Sequence, residues 1–209
     1  MKKLTLAILI ITFNMMNLYG EGLGIIDNAK KELDSLKVNL ADSFMYVGGG
    51  VSIMSLSNDT TLEKFSGMSK NLIAGFQYGD YIAIEGRYVS SFGSVTYDAG
   101  TSVKGDNSDY PTDFTNMAIY LKAITPFGDA GLYGLIGYGQ VGLTNIPDGN
   151  VDRTVTGVQY GAGGSYKMFN NIIIFADYIV AYNAKGFNGL GTDNNHYVSY
   201  ATVGFLYQF

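Results

Sequence analysis

The last eight residues, Thr202, Val203, Gly204, Phe205, Leu206, Tyr207, Gln208 and Phe209, constrain this chain more than any other stretch. Val203, Phe205, Tyr207 and Phe209 fall on one side and Thr202, Gly204, Leu206 and Gln208 on the other, a period of two that only an extended strand produces. A soluble sheet seldom leaves so apolar a face uncovered, and an aromatic ring at the final residue suits a membrane interface. The apolar side is therefore expected to meet lipid.

The same period runs back to Asp42. Strands are expected at residues 44–54, 70–78, 81–90, 114–124, 130–143, 154–166, 172–183 and 197–209. The connections alternate in length. Those at 79–80, 126–129 and 168–171 are tight, whereas those at 55–69, 91–113, 144–153 and 184–196 are long and polar. Short turns at one end and long loops at the other are the plan of a transmembrane β-barrel. Beyond the N-terminal region no apolar run is long enough to cross a bilayer as a helix. A membrane form must then be a closed barrel, which satisfies every backbone group without water.

The expected facing is that of a barrel turned inside out. Ile82, Ile84, Gly86 and Tyr88 share one side of the third strand, with Glu85 and Arg87 on the other. Met117, Ile119 and Leu121 oppose Asn116, Tyr120 and Lys122 in the fourth. Gln77 opposes Leu72, Phe76 and Tyr78, and Asp177 opposes Ile172, Ile174, Tyr178 and Val180. A soluble ligand-binding barrel keeps its apolar residues inside; here the charges point inward. Outward aromatics are expected in two girdles, Phe76, Tyr78, Tyr133, Tyr166, Tyr207 and Phe209 at the turn end and Tyr88, Tyr182 and Tyr197 at the loop end. Glycine runs such as Gly48, Gly49 and Gly50 permit the bends of a small barrel.

With strand count, loop alternation and polarity in place, the chain from Phe44 onward resembles the small eight-stranded OmpA/OmpX-type outer-membrane barrels, opacity-type surface proteins included. The terminal Thr202, Gly204, Tyr207 and Phe209 resemble the C-terminal assembly signal of that family. The resemblance implies an all-β, up-and-down antiparallel barrel in the bacterial outer membrane, with both termini periplasmic and the long loops outside. It also implies outer-membrane lipid and lipopolysaccharide as surroundings, and recognition by the barrel-assembly machinery. Members of the family include adhesins, structural anchors, narrow pores and a few lipid-modifying enzymes, so the resemblance specifies architecture rather than activity.

Ahead of the barrel, residues 1–20 read as a signal peptide: Lys2 and Lys3, an apolar run from Leu4 to Phe13, and Gly20 at the end. Residues 21–43 form a linker in which Ile25, Ile26, Ala29, Leu33, Leu36 and Leu40 recur at helical spacing between Lys30, Lys31, Glu32, Asp34 and Lys37. A short amphipathic periplasmic helix is expected there, either plugging the barrel mouth or anchoring at the interface, or, since nothing besides amphipathicity argues for such a role, resting on the barrel base as a linker. Residues 44–209 are the barrel. The absence of Cys excludes a disulfide scaffold. The formal net charge is −5, and loss of two leader lysines takes it to −7, which argues against nucleic acid as a partner. A monomer is expected.

Residues 137–142 spell G-x-G-x-x-G, but that motif needs a strand before it and a helix after it, and here it lies inside a strand. His196 and Ser199 invite an esterase reading, yet three positions apart in a strand they face opposite ways. Asp106, Asp109 and Asp113 offer oxygen ligands without the spacing of a calcium loop. No catalytic residue, metal or cofactor is expected, and the protein reads as a non-enzyme. What stands out is Glu85, Arg87, Lys122 and Asp177, two acids and two bases facing a bore that side chains must fill. They are expected to pair as a plug, with Tyr46, Tyr120, Tyr138 and Phe175 turned inward beside them; the alternative is the selectivity ring of a pore. The functional expectation is a structural or adhesive surface role carried by the loops and an unknown extracellular partner, with a narrow diffusion channel as the alternative and a lipid-modifying enzyme a distant third.

Overall fold

In the computed structural model, the residues described are 43–58, 64–92, 95–98, 108–110, 113–144, 153–187 and 190–209. The leader, the amphipathic linker helix and Asp106 lie outside them. Eight long strands make one closed antiparallel barrel: β1 (Phe44–Asn58), β2 (Lys64–Tyr78), β3 (Ile82–Ser91), β6 (Asp113–Phe127), β7 (Ala130–Thr144), β8 (Arg153–Phe169), β9 (Ile172–Phe187) and β10 (Leu190–Gln208). Each pairs with its sequence neighbour, and β1 closes the ring by pairing with both β2 and β10, Val51 opposite Lys70 on one side and Val203 on the other. Closure leaves no sheet edge to be solvated, the condition for a strand-built membrane protein.

The strands reach further on the loop side than the polarity pattern alone indicates. Much of the expected loops at 55–69 and 184–196 is strand, because β1 pairs with β2 out to Ser57 and Lys64, and β10 pairs with β9 out to Leu190 and Phe187. The expected loop at 91–113 carries two more short strands, β4 (Val95–Asp98) and β5 (Ser108–Tyr110), with β4 bonded to β2 and β5 to β4. Ladder hydrogen bonds do not require an apolar face, so these polar extensions pair without showing the lipid-facing alternation. At the opposite end the turns are tight, and Gly79 and Gly128 adopt φ of 59° and 65° there, a left-handed conformation that a residue with a Cβ adopts at a cost.

The outer face is apolar. Ile84, Ile119, Leu132 and Phe205 each expose 58–66% of their surface, while Glu85, Tyr120, Gln159 and Met54 on the inner face are essentially buried. Val203, Tyr207 and Phe209 lie on the outer face, and Thr202 and Leu206 in the bore, as the terminal alternation requires. Three aromatic placements differ from expectation. Tyr133 faces the bore instead of the turn-end girdle, and Tyr138 faces outward instead of in. Strand β7 contains no charged residue and has apolar side chains on both faces, so nothing in it reveals which face is wet. Tyr182 also turns inward: Val198 pairs with Tyr182 and Ser199 with Val180, so Ala181 is an inserted bulge residue that reverses the alternation beyond it. Val180 keeps the outer side opposite Ser199 but is covered.

Inside, bulky rings are accommodated by glycines directly across the ladder. Tyr46 lies opposite Gly75, Tyr120 opposite Gly137, Tyr133 opposite Gly163 and Phe175 opposite Gly204. A Cβ at Gly163 would come within 2.7 Å of Tyr133 Cζ, and one at Gly75 would collide with the Tyr46 ring. The bore of an eight-stranded barrel is only wide enough for side chains, and four rings fit because the facing strand recedes. Gly75→Val is therefore expected to destabilise the barrel by about 1–3 kcal/mol through overpacking. Urea unfolding in detergent checks this. Recovery of much of the loss in Gly75→Val combined with Tyr46→Ala is the expected signature, and a neutral single variant would contradict the packing.

Candidate functional site: the filled bore

The four charged residues singled out in the sequence come together in the bore, nearer the turn end. Strand β3 carries Glu85 and Arg87 two positions apart, hence on one face, while β6 supplies Lys122 and β9 supplies Asp177. Arg87 Nε donates to Glu85 Oε1 at 2.5 Å and Arg87 Nη2 to Asp177 Oδ2 at 2.7 Å. Lys122 Nζ donates to Glu85 Oε2 at 3.3 Å. Both Arg87 pairs have no side-chain exposure, and Lys122 has 5%. The set is neutral as a whole, two positive and two negative groups, which makes its burial tolerable.

The surrounding rings complete the solvation that water would otherwise supply. Tyr46 donates its hydroxyl to Glu85 Oε2 at 2.7 Å, and Tyr133 donates to Asp177 Oδ2 at 3.0 Å. Lys122 Nζ stands 3.9 Å from the centre of the Tyr133 ring, and Arg87 Cζ lies 5.7 Å from the Phe175 ring and 5.8 Å from Tyr120, where cation–π attraction applies. Sequence reading assigned Tyr46, Tyr120 and Phe175 to the bore and missed Tyr133. The signal available for it was the inward glycine, Gly163, on the neighbouring strand.

Above the charges, toward the loop end, lies a neutral polar layer. Asn116 and Gln159 are bonded to each other twice, at 2.8 and 3.1 Å, and Tyr120 and Tyr200 join them through their hydroxyls. Ser52 Oγ and Thr202 Oγ1 lie 2.8 Å apart, with Asn71 donating to Thr202. Thr202, read from the sequence as part of a terminal signal, thus also holds a place in the bore. Gln159 lies between Val158 and Tyr160, and Asn71 between Lys70 and Leu72; both are uncharged amides, and only their inward parity distinguishes them beforehand. Beyond this layer the bore becomes apolar: Met54, Leu56, Val89, Phe114, Leu143 and Val198 pack together and are at most 2% exposed.

At the turn end the bore widens into a cavity of about 640 Å³, with Lys122 and Tyr46 at its floor, Phe44, Ile124, Ile173 and Leu206 on its walls, and Asp80 and Asp129 at its rim. His196 is buried in the bore's loop end, whereas Ser199 pairs with Val180 on the outer side, so the structure does not bring the two together. The G-x-G-x-x-G run is ladder within β7. Among the described residues no group of three or more His, Asp or Glu converges as metal ligands.

Breaking the charge set leaves its partners uncompensated. Arg87→Ala is expected to cost about 3–5 kcal/mol, because Glu85 and Asp177 then remain buried without their shared cation. Chemical unfolding of the detergent-folded protein measures it. The quadruple variant Glu85→Gln, Arg87→Met, Lys122→Met, Asp177→Asn, which removes both charges of each sign, is expected to recover most of that loss, and an Arg87→Ala barrel as stable as wild type would mean that water reaches the site.

Residues 36–209 match the family model of the outer membrane protein beta-barrel domain. Among solved structures the chain is similar to Ail, the attachment invasion locus protein of Yersinia pestis, at 16% identity over 80% of this chain and 99% of that one, with a TM-score of 0.51. It is likewise similar to Neisserial surface protein A, at 18% identity over 79% of this chain and 97% of that one, also with a TM-score of 0.51. No curated protein matches it. An apolar-coated, closed eight-stranded barrel with a buried polar bore, matched from residue 36 to its last residue, belongs to the outer membrane protein beta-barrel domain family.

Proposed function

We propose that this integral outer-membrane barrel works through its loop end, as a surface for contact, and that its bore does not conduct. The observation that carries this reading is the bore's closure at successive levels: a neutral ion-pair set, an amide and hydroxyl layer, and an apolar cluster at the loop side. Ions would have to displace Arg87 from two carboxylates and then pass an apolar constriction, which opposes hydrated ions by dewetting. The rival reading, a narrow diffusion channel, lacks a comparable supporting feature.

In this reading the tight turns and both ends of the barrel domain lie in the periplasm, residues 1–20 are removed as a leader, and the long connections face outward. Strands β1, β2, β9 and β10 then stand as walls that lift the loops away from the lipid. The expected loops carry nine acidic residues against four basic ones, so the partner suited to them is neutral or basic. Ail has been solved in complex with the heparin analogue sucrose octasulfate; a sulfated polyanion is the wrong charge for these loops. Phe92, Tyr97 and Tyr110 in the longest connection supply aromatic anchors of the kind that dominate binding energy.

The test joins two measurements on one pair of proteins. Wild type reconstituted in planar bilayers is expected to show no stable, frequent conductance steps. Replacing residues 99–107 with a short turn, which spares β4 and β5, is expected to leave a heat-modifiable barrel while lowering cell adhesion or aggregation. Regular conductance steps with adhesion unaffected by trimming would replace this reading with the channel.

A second expectation concerns assembly. If Thr202, Gly204, Tyr207 and Phe209 are read by the assembly machinery, Tyr207→Ser with Phe209→Ser lowers the folded protein recovered from outer membranes, since both rings are on the outer face and neither fills the bore. Refolding of the purified variant in detergent micelles is expected to proceed as in wild type. Wild-type amounts in the membrane would remove the signal.

A further inference from the structure

We propose that the lipid-facing wall of the barrel holds one acyl chain of a glycerophospholipid in a groove over β7 to β10, near the turn end. The site lies outside the bore and does not depend on what the loops contact. It rests on the outer-membrane setting and on the orientation proposed above, which puts the turn end in the periplasmic, phospholipid leaflet.

The groove follows from the strand registers. One outward row crosses the four strands as Leu132, Gly164, Ala176 and Val203, each opposite the next in its ladder. Leu132 and Val203 stand out at 61% and 57% exposure, while the two positions between them carry only a hydrogen and a methyl. Toward the turns the row is bounded by Tyr166 and Ile174, which pair with each other; away from them the wall stays low where Gly134 lies opposite Ala162. The result is a depression of about 580 Å³ with no charged residue in its lining. Its polar side chains are Ser165, which also lines the turn-end cavity of the bore, and Tyr166, whose ring stands on the outer face. On other strands the outward Leu72, Ile84, Met117 and Ile119 are all large and 59–66% exposed, so the wall is high there.

Lipid tails are as apolar as leucine, so no hydrophobic force presses a chain against the wall, and retention depends on the number of close contacts. A chain lying over the large side chains is touched from one side. In the groove it meets Gly164 and Ala176 beneath it and Leu132 and Val203 on its flanks, and a hollow left unfilled would forfeit those contacts. The size selects a chain over a second barrel: three strand spacings by two outward steps give a patch of about 14 by 14 Å, roughly 200 Å², against about 800 Å² from each partner in a stable protein pair. With no cation in the lining to hold a phosphate, the tail is the part recognised.

The test compares two outward glycines. A Cβ at Gly164 meets the Gly131 carbonyl oxygen and Leu132 Cδ2 at 3.7 Å, and one at Gly86, on β3, meets the Ala74 carbonyl oxygen at 3.8 Å, so both positions accept a side chain without collision. Full-length protein extracted from outer membranes in mild detergent is expected to carry one phospholipid in native mass spectrometry. Gly164→Phe, whose ring fills the groove, is expected to lose it, and Gly86→Phe to retain it, both remaining heat-modifiable. A wild type without bound phospholipid, equal retention in Gly164→Phe, or the same loss in Gly86→Phe would overturn the proposal. So would lipopolysaccharide in the phospholipid's place, or a dimer that Gly164→Phe disrupts, since each names another occupant. Should Gly164→Phe fail to fold, Ala176→Leu fills the same groove from β9 and is expected to lose the lipid likewise; retention in that variant would dismiss the site.

Discussion

Arg87 sets the terms for the rest of this barrel. A guanidinium removed from water on a strand whose other face meets lipid costs several kcal/mol unless acceptors are already in place, and two carboxylates are: one on its own strand and one brought by β9 from ninety residues away. That requirement ties the registers of β3, β6 and β9 together. A slip of one residue in any of them would turn Arg87, Lys122 or Asp177 toward the bilayer. The charge set therefore specifies alignment as well as filling the bore, a use of buried polar groups consistent with their modest return in stability.

The charges need space, and the strands create it by pairing each large inward ring with a glycine. Tyr46, Tyr120, Tyr133 and Phe175 each lie across from one, and these same rings solvate the ions by hydrogen bonding or by their π faces. Packing and electrostatics are thus met by the same side chains. The graded bore follows: charged groups where rings and glycines alternate, amides where the rings give way to Asn116 and Gln159, and aliphatic side chains where the walls extend past the lipid-facing band.

Legibility in the sequence tracked the strength of local contrast. In β3, Glu85 and Arg87 between Ile84, Gly86 and Tyr88 leave no ambiguity of phase, and β6 is as clear with Met117 and Ile119 against Asn116 and Lys122; their faces are as expected. In β7 the contrast disappears. Leu132 and Ile136 on one side balance Leu135 and Val141 on the other, so Tyr133 and Tyr138 were exchanged between bore and bilayer. Tyr182 was misplaced for a different reason, since a single inserted residue at Ala181 shifts everything after it and a bulge leaves no compositional trace. The longer strands on the loop side were equally hidden, because backbone pairing in water proceeds without a facing pattern.

By itself, the sequence determined a closed antiparallel barrel with apolar residues outward, because a period of two and alternating connection lengths admit no other way to satisfy the backbone in lipid. It also determined that four charges would share the interior, since parity places each of them away from the apolar face. Only the tertiary structure decided which acid each base would meet, that Tyr46 and Tyr133 would cap the carboxylates, and that glycines across the ladder would make room for them. Those contacts depend on register between strands far apart in the chain, and register is a property of the closed ring that no local stretch of sequence encodes.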